Sequence, residues 1–391
     1  MSTAVRYDPY AYATHEDPYP VYRRLRDEAP AYVDEERGFW ALSRHDDVRA
    51  ALDDVATFSS TGGITLDSDT GTLEPMLIEM DPPRHTALRA LVSRAFTPRR
   101  VAELEGPVRT ISRELISRFD AERIDGIGDF AARLPMAVIS AMLGVPPDDQ
   151  DQLRTWSDSL LHREEGSSVL TPEGIEGAAH LYGYIDRLVA ARHCARGPDL
   201  VSALVTLQVD EGALTHQEVL GFCFLLIIAG NETTTKLLGN ALYWLAEHPD
   251  QRALLQADLA AIPPAVEEVL RYDTSTQGLA RRLTRDVTLH GVTLPAGMKG
   301  LLLFAAANRD ERRWADPDRF DVTRNPAGHL AFGHGIHHCL GASLARLETR
   351  VALEELLPAL GDYVVDHDGC ERVHSGNVRG FVHLPFRCPS R

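Results

Sequence analysis

Phe332-Gly333-His334-Gly335-Ile336-His337-His338-Cys339-Leu340-Gly341-Ala342 is the stretch on which the reading of this 391-residue chain turns. A cysteine closes a loop with glycine at three nearby positions, and an amphipathic helix follows at once. The spacing of Leu344, Leu347, Val351 and Leu353 predicts that helix over residues 342–357. A thiol at its start meets the positive end of the helix dipole, which favours the thiolate and so a metal ligand. Gly333, Gly335 and Gly341 lack a Cβ, so backbone there can lie close to a flat group.

Three other readings compete with that one. His334, His337, His338 and Cys339 could hold zinc, but no further cysteine or histidine pair stands at zinc-site spacing. A phosphate loop would need Gly-Lys-Ser/Thr, which is missing. An inert buried cysteine is the usual fate of a lone thiol, and it leaves the glycines without a reason.

Outward from this stretch, composition narrows the class. The net charge of −17 favours solubility and argues against nucleic acid as a partner. Cys194, Cys223, Cys339, Cys370 and Cys388 are scattered and odd in number, which speaks against a disulfide framework and fits a reducing compartment. Residues 1–12 have no apolar run, and the longest one, residues 222–229, is too short to span a bilayer. The expectation is a cytoplasmic protein without a membrane anchor. No linker, repeat or charge block divides the chain, so residues 1–391 read as one unit.

The order Phe-x-x-Gly-x-x-x-Cys-x-Gly, formed by Phe332, Gly335, Cys339 and Gly341, resembles the haem-ligand signature of the cytochrome P450 family. The resemblance implies a mainly α fold with small β-sheets and one haem b. Cys339 would then be the axial ligand, with Phe332 packed on the thiolate side. A thiolate on haem iron favours O–O cleavage.

Other landmarks follow in the family's order. Asp81-Pro82-Pro83 precedes His85 and Arg89, which are four apart and share a helix face. On residues alone they could be a solvated polar face; the resemblance makes them haem-propionate ligands. It adds Arg281, with Arg282 beside it as the competing choice, and His337. Thr215-His216-Gln217-Glu218 is a capping box opening a helix that runs to about residue 248. Midway along it, Ala229-Gly230-Asn231-Glu232-Thr233-Thr234-Thr235 is a polar patch that needs work or partners. It can be a water-stabilised kink or a proton route. The resemblance makes Glu232 the acid and Thr233 the alcohol of a proton-delivering pair. Glu268, Arg271 and Arg319 match the family's buried carboxylate–guanidinium cluster.

The implied activity is insertion of one oxygen atom from dioxygen into an apolar small molecule. Electrons would come from a separate ferredoxin and a NAD(P)H-dependent ferredoxin reductase. A peroxide-driven enzyme and a non-catalytic haem-binding module are the alternatives. Residues 59–72 lack periodicity and read as a lid or binding loop, or else as disorder; the resemblance makes them a cover over the substrate pocket. Arg346 and Arg350, with Arg99 and Arg100, form a candidate docking face for an acidic ferredoxin. The substrate itself is not readable.

Overall fold

The computed structural model describes residues 5–66, 76–120, 123–209 and 213–388. Of the lid expected over residues 59–72, residues 67–72 lie outside that set.

A long helix, His216–Glu247, is the axis of the fold. Its capping box forms as expected: the Thr215 hydroxyl accepts from the Glu218 backbone N–H, and the Glu218 carboxylate accepts from the Thr215 N–H. Arg84 binds the same carboxylate from a second helix, Arg84–Val92, and so ties the two helix starts together. Around the long helix pack Arg133–Leu143, Pro172–Cys194, Ile262–Tyr272 and the closing helix Ala342–Leu360. The closing helix buries Leu344, Leu347, Val351, Leu353 and Leu357. Truncating one of these leucines to alanine would cost about 2–5 kcal/mol, because the surroundings collapse only partly into the space left.

Pro98–Glu103 and Glu105–Ile116 are two helices that meet at Leu104. Pro107 has no N–H to donate back across that junction, and it is well tolerated in the first turn of the second helix.

The main sheet has five strands, in the order Ala31–Asp34, Phe39–Leu42, Lys299–Leu302, Leu279–Leu283 and Phe58–Ser59. Phe39–Leu42 and Lys299–Leu302 run parallel, and every other pair is antiparallel. A Cβ on Gly300 would stand 2.0 Å from the Trp40 ring, so only glycine fits there. Arg281 lies opposite Gly300 in the next strand. Strand alternation sends Arg281 inward, whereas Arg282 donates to the Gly297 carbonyl at 3.3 Å. The expected small hairpin pairs Val287–Leu289 with Val292–Leu294, with φ of 52° and 79° at His290 and Gly291. At the C-terminus Glu371–Arg372 pairs with Phe381–His383, while Pro385–Arg387 joins Ile124–Asp125 and Val364–Val365.

Among the described residues one segment, Gly126–Leu143, is long and apolar enough to cross a membrane, and 67% of it is buried inside the fold.

Candidate active site

The cysteine loop is held by its own backbone. The Cys339 N–H donates to the Phe332 carbonyl at 2.9 Å, and the Gly333 N–H to the Leu330 carbonyl at 2.9 Å. Gly333 and Gly335 have φ of 67° and 68°. A Cβ on Gly335 would also come within 2.8 Å of the Leu52 carbonyl oxygen. Beyond the loop, the N–H groups of Gly341 and Ala342 point at the sulfur, with Arg89 and Arg346 nearby. The helix start therefore favours the thiolate as expected. Burial nevertheless outweighs those groups, and the free thiol is raised. Water still reaches Cys339. A cation bound at such a sulfur displaces the proton. Phe332 lies under the Arg346 guanidinium, 4.5 Å from the ring centre.

Four basic side chains converge beside this loop. The His85 and His337 rings are 4.3 Å apart. Both ring nitrogens of His85 are buried without a hydrogen-bond partner, and His337 Nε2 meets the Ser60 hydroxyl at 3.0 Å. Arg281 is 2% exposed and donates to the Ala280 carbonyl at 2.7 Å. Arg89 donates to the His338 carbonyl at 2.5 Å. Among the described residues, Asp81 is the acid that acts on Arg281, and it already accepts from the Ser59 hydroxyl and the Ser60 N–H at 2.6 and 3.0 Å.

Burial pushes Arg281 down to about 10. Burial also takes His337 to about 3, helped by Arg281, His85 and Arg89, and it lowers His85 as well. Gathering this much uncompensated positive potential is unfavourable, and two carboxylates would relieve it. The orphaned His85 nitrogens and the two arginines therefore fit the propionates of haem b, and the Cys339 sulfur would be the group to hold its iron.

Glu232 and Thr233 stand midway along the long helix, which runs unbroken through the polar patch. Thr233 Oγ1 donates to the Ala229 carbonyl at 2.7 Å, the i−4 bond its position allows. Ala229 is exposed in the middle of an otherwise buried helix, and Gly230 and Thr233 are half-buried, so open space lies against this turn. Glu232 points the other way and is 1% exposed. Its Oε1 accepts from Asn231 at 2.9 Å and from Ser157 at 3.3 Å, while Lys236 Nζ lies 3.5 Å from Oε2. Sequence reasoning missed Lys236, although its i+4 spacing from Glu232 was there to read.

The buried ion cluster differs in one member. Arg271 binds Glu268 with two hydrogen bonds of 2.8 Å, both side chains being fully buried. The third member is Arg324, 3.1 Å from Glu268, and not Arg319. The Arg319 side chain is largely exposed and stands 3.8 Å from Asp321; its carbonyl, instead, accepts from Arg271 and Arg324.

The proposed docking arginines are mostly occupied. Arg346 pairs doubly with Glu267 at 2.7 and 2.9 Å. Arg350 pairs with Glu105 and Glu354, each at 2.7 Å, and Arg99 with Glu103 at 3.2 Å.

The cytochrome P450 family model matches residues 187–360. A putative cytochrome P450 123 of Mycobacterium tuberculosis is 48% identical over 390 residues, covering 98% of this chain and 97% of its own. The cytochrome P450 monooxygenase PikC of Streptomyces venezuelae is 40% identical, covering 95% and 91%. Among solved structures, CYP109E1 from Bacillus megaterium in complex with testosterone superposes with a TM-score of 0.90 at 34% identity, covering 96% and 99%. With the cysteine loop, the basic cluster and 48% identity over nearly the whole chain pointing one way, the chain belongs to the cytochrome P450 family, haem b proteins that are generally monooxygenases.

Proposed function

We propose that this enzyme, acting as one unit in the cytoplasm, inserts one oxygen atom from dioxygen into an apolar small molecule. Electrons come from a separate ferredoxin and its NAD(P)H-dependent reductase. The observation that carries this reading is the Glu232–Thr233 pair: a buried acid beside an alcohol that faces open space at mid-helix. A peroxide-driven enzyme would have no need of that pair, because peroxide brings its own oxygen and protons.

His85, Arg89, Arg281 and His337 would hold the haem carboxylates, and Cys339 Sγ the iron. Haem b supplies the activation of dioxygen when bound. The chain's own groups handle the protons. Thr233 Oγ1 can exchange its bond to the Ala229 carbonyl for one to a molecule in the open space, and the protonated Glu232 carboxyl would reach that hydroxyl by swinging from its bonds to Asn231 and Ser157.

Solved relatives hold testosterone, corticosterone, erythromycin B and an acyl group on its carrier protein, and one holds (4-ethylphenyl) dihydrogen phosphate, whose apolar ring carries a charged group. That range supports an apolar substrate without choosing a skeleton. Screening apolar compounds for a haem spin-state change would choose one.

The test is coupling. Thr233→Ala should keep consuming NADPH while product falls and hydrogen peroxide rises. Glu232→Gln should slow turnover by about a hundredfold or more. Product formed per NADPH equal to wild type in both variants would overturn the reading.

A further inference from the structure

The Gln150–Ser159 helix packs against the long helix at the turn that carries Glu232. It brings a second carboxyl to that point, Asp158. Glu232 Oε2 is buried and has no hydrogen-bond donor, with Lys236 Nζ standing 3.5 Å off. Lys236 is itself turned toward the Phe381 carbonyl at 3.2 Å. A buried carboxylate oxygen in that position wants a proton donor, and an ionised Asp158 would repel it instead.

Resting on the reading of Glu232 given above, we propose that Asp158 is the proton source for Glu232: its carboxyl carries the proton that Glu232 passes toward Thr233.

Burial and the neighbouring Glu232 push Asp158 up to about 8, so the two carboxyls hold a proton between them at neutral pH. Lys236 and Arg154 pull the other way and do not prevail. Arg154, on the same helix, lies 3.4 Å from Asp158 and 3.8 Å from Asp151. The other charged groups near this helix are engaged elsewhere along it: Arg133 meets Asp151 at 3.3 Å, and His180 stacks on Trp156. Although protein surrounds most of it, the Asp158 side chain keeps 44% of its surface exposed, so water can return the proton.

The step conserves charge and moves no electrons. The O–H bond of Asp158 breaks, an O–H bond to Glu232 Oε2 forms, and the Asp158 carboxylate then takes a proton from water. Asp158 touches neither substrate nor haem. It acts through Glu232 and is a positioning residue that keeps the acid supplied. Ser157, from the adjacent position, fixes Glu232 Oε1 so that Oε2 is the oxygen left to receive.

The test uses the haem-loaded enzyme with reductase and ferredoxin in excess. Asp158→Asn keeps shape and a donor but has no proton to give. Turnover should fall about tenfold, short of the hundredfold or more that a direct acid contributes, and the solvent deuterium effect should rise. The wild-type rate should decline on the alkaline side as Asp158 ionises; that limb should vanish in Asp158→Asn and return in Asp158→Glu. Independently of turnover, an infrared pH titration in a Glu348→Gln background, which removes the other carboxyl that titrates near 8, should show a protonated carboxyl band that disappears with rising pH and is missing once Asp158→Asn is added. A wild-type pH profile in Asp158→Asn, or no such band in the Glu348→Gln background, overturns the proposal. If Thr233→Ala uncouples while Asp158→Asn changes nothing, the relay alone fails. If neither changes anything, the proton route through the long helix fails with it.

Discussion

Two buried groups of charges lie within this protein and are built on opposite plans. Around Glu268, the carboxylate takes both arms of Arg271 and one of Arg324, and it accepts the Asp321 N–H at 3.1 Å. The remaining donors of the two arginines reach the carbonyls of Asn308, Ala315, Asp316, Pro317 and Arg319. Around His85, Arg89, Arg281 and His337 the described residues supply one acid, Asp81, to four basic groups, and two ring nitrogens are left without a partner among them. Satisfaction marks a joint that holds the fold, and deficit marks a place made for something that is not protein.

The largest effect should come from breaking the satisfied group. Glu268→Ala leaves Arg271 buried without its counter-charge, at about 3–5 kcal/mol, a large part of a domain's net stability. Soluble, haem-loaded protein should be nearly lost, and a normal yield would remove the distinction. Breaking the deficient group should do the reverse to the polypeptide. Arg281→Ala removes an uncompensated charge, so the fold should survive, while each lost contact to a carboxylate is worth about 1.5–3 kcal/mol of haem binding. Haem transfer to an acceptor protein should quicken tenfold or more, and Arg282→Ala should leave it unchanged.

Glu348 offers a smaller and sharper case. It is buried on the closing helix, its Oε2 lacks a partner, and burial pushes it up to about 8. An unfolded glutamate titrates near ~4.3, so between that pH and about 8 the native state holds a proton that the unfolded chain has lost. Stability is full below that window and falls as pH rises through it. Glu348→Gln should flatten the alkaline decline by at least about 1.4 kcal/mol, the worth of one pK unit, in melts across the range. The smallest effect belongs to the surface arginines, because most are already paired. Arg100→Glu should slow haem reduction by ferredoxin a few-fold at low salt and hardly at all at high salt.

What the sequence made legible was local or was carried by motifs with fixed spacing. The Thr215–Glu218 box, the loop to Cys339 and the i−4 bond of Thr233 each depend on neighbours a few positions apart. What escaped it depends on chain reversals. Arg319 and Arg324 sit on one loop, and whether a side chain or a carbonyl turns toward Glu268 is settled by backbone direction, which spacing does not encode. Glu267 and Glu105 neutralise Arg346 and Arg350 from distant helices. Asp158 meets Glu232 from another element altogether, and on its own helix it reads as one more surface acid.

The parallel pairing in the main sheet sets an order of events during synthesis. Phe39–Leu42 finds its neighbour only when Lys299–Leu302 appears, 260 positions later. At about 5–20 residues per second that wait is about 13–52 s on the ribosome, with the first hairpin made and one edge bare. Arg281 belongs to the strand beside it, and His337 and Cys339 emerge later still. His85 and Arg89 therefore meet Arg281, His337 and Cys339 only after most of the chain has been made.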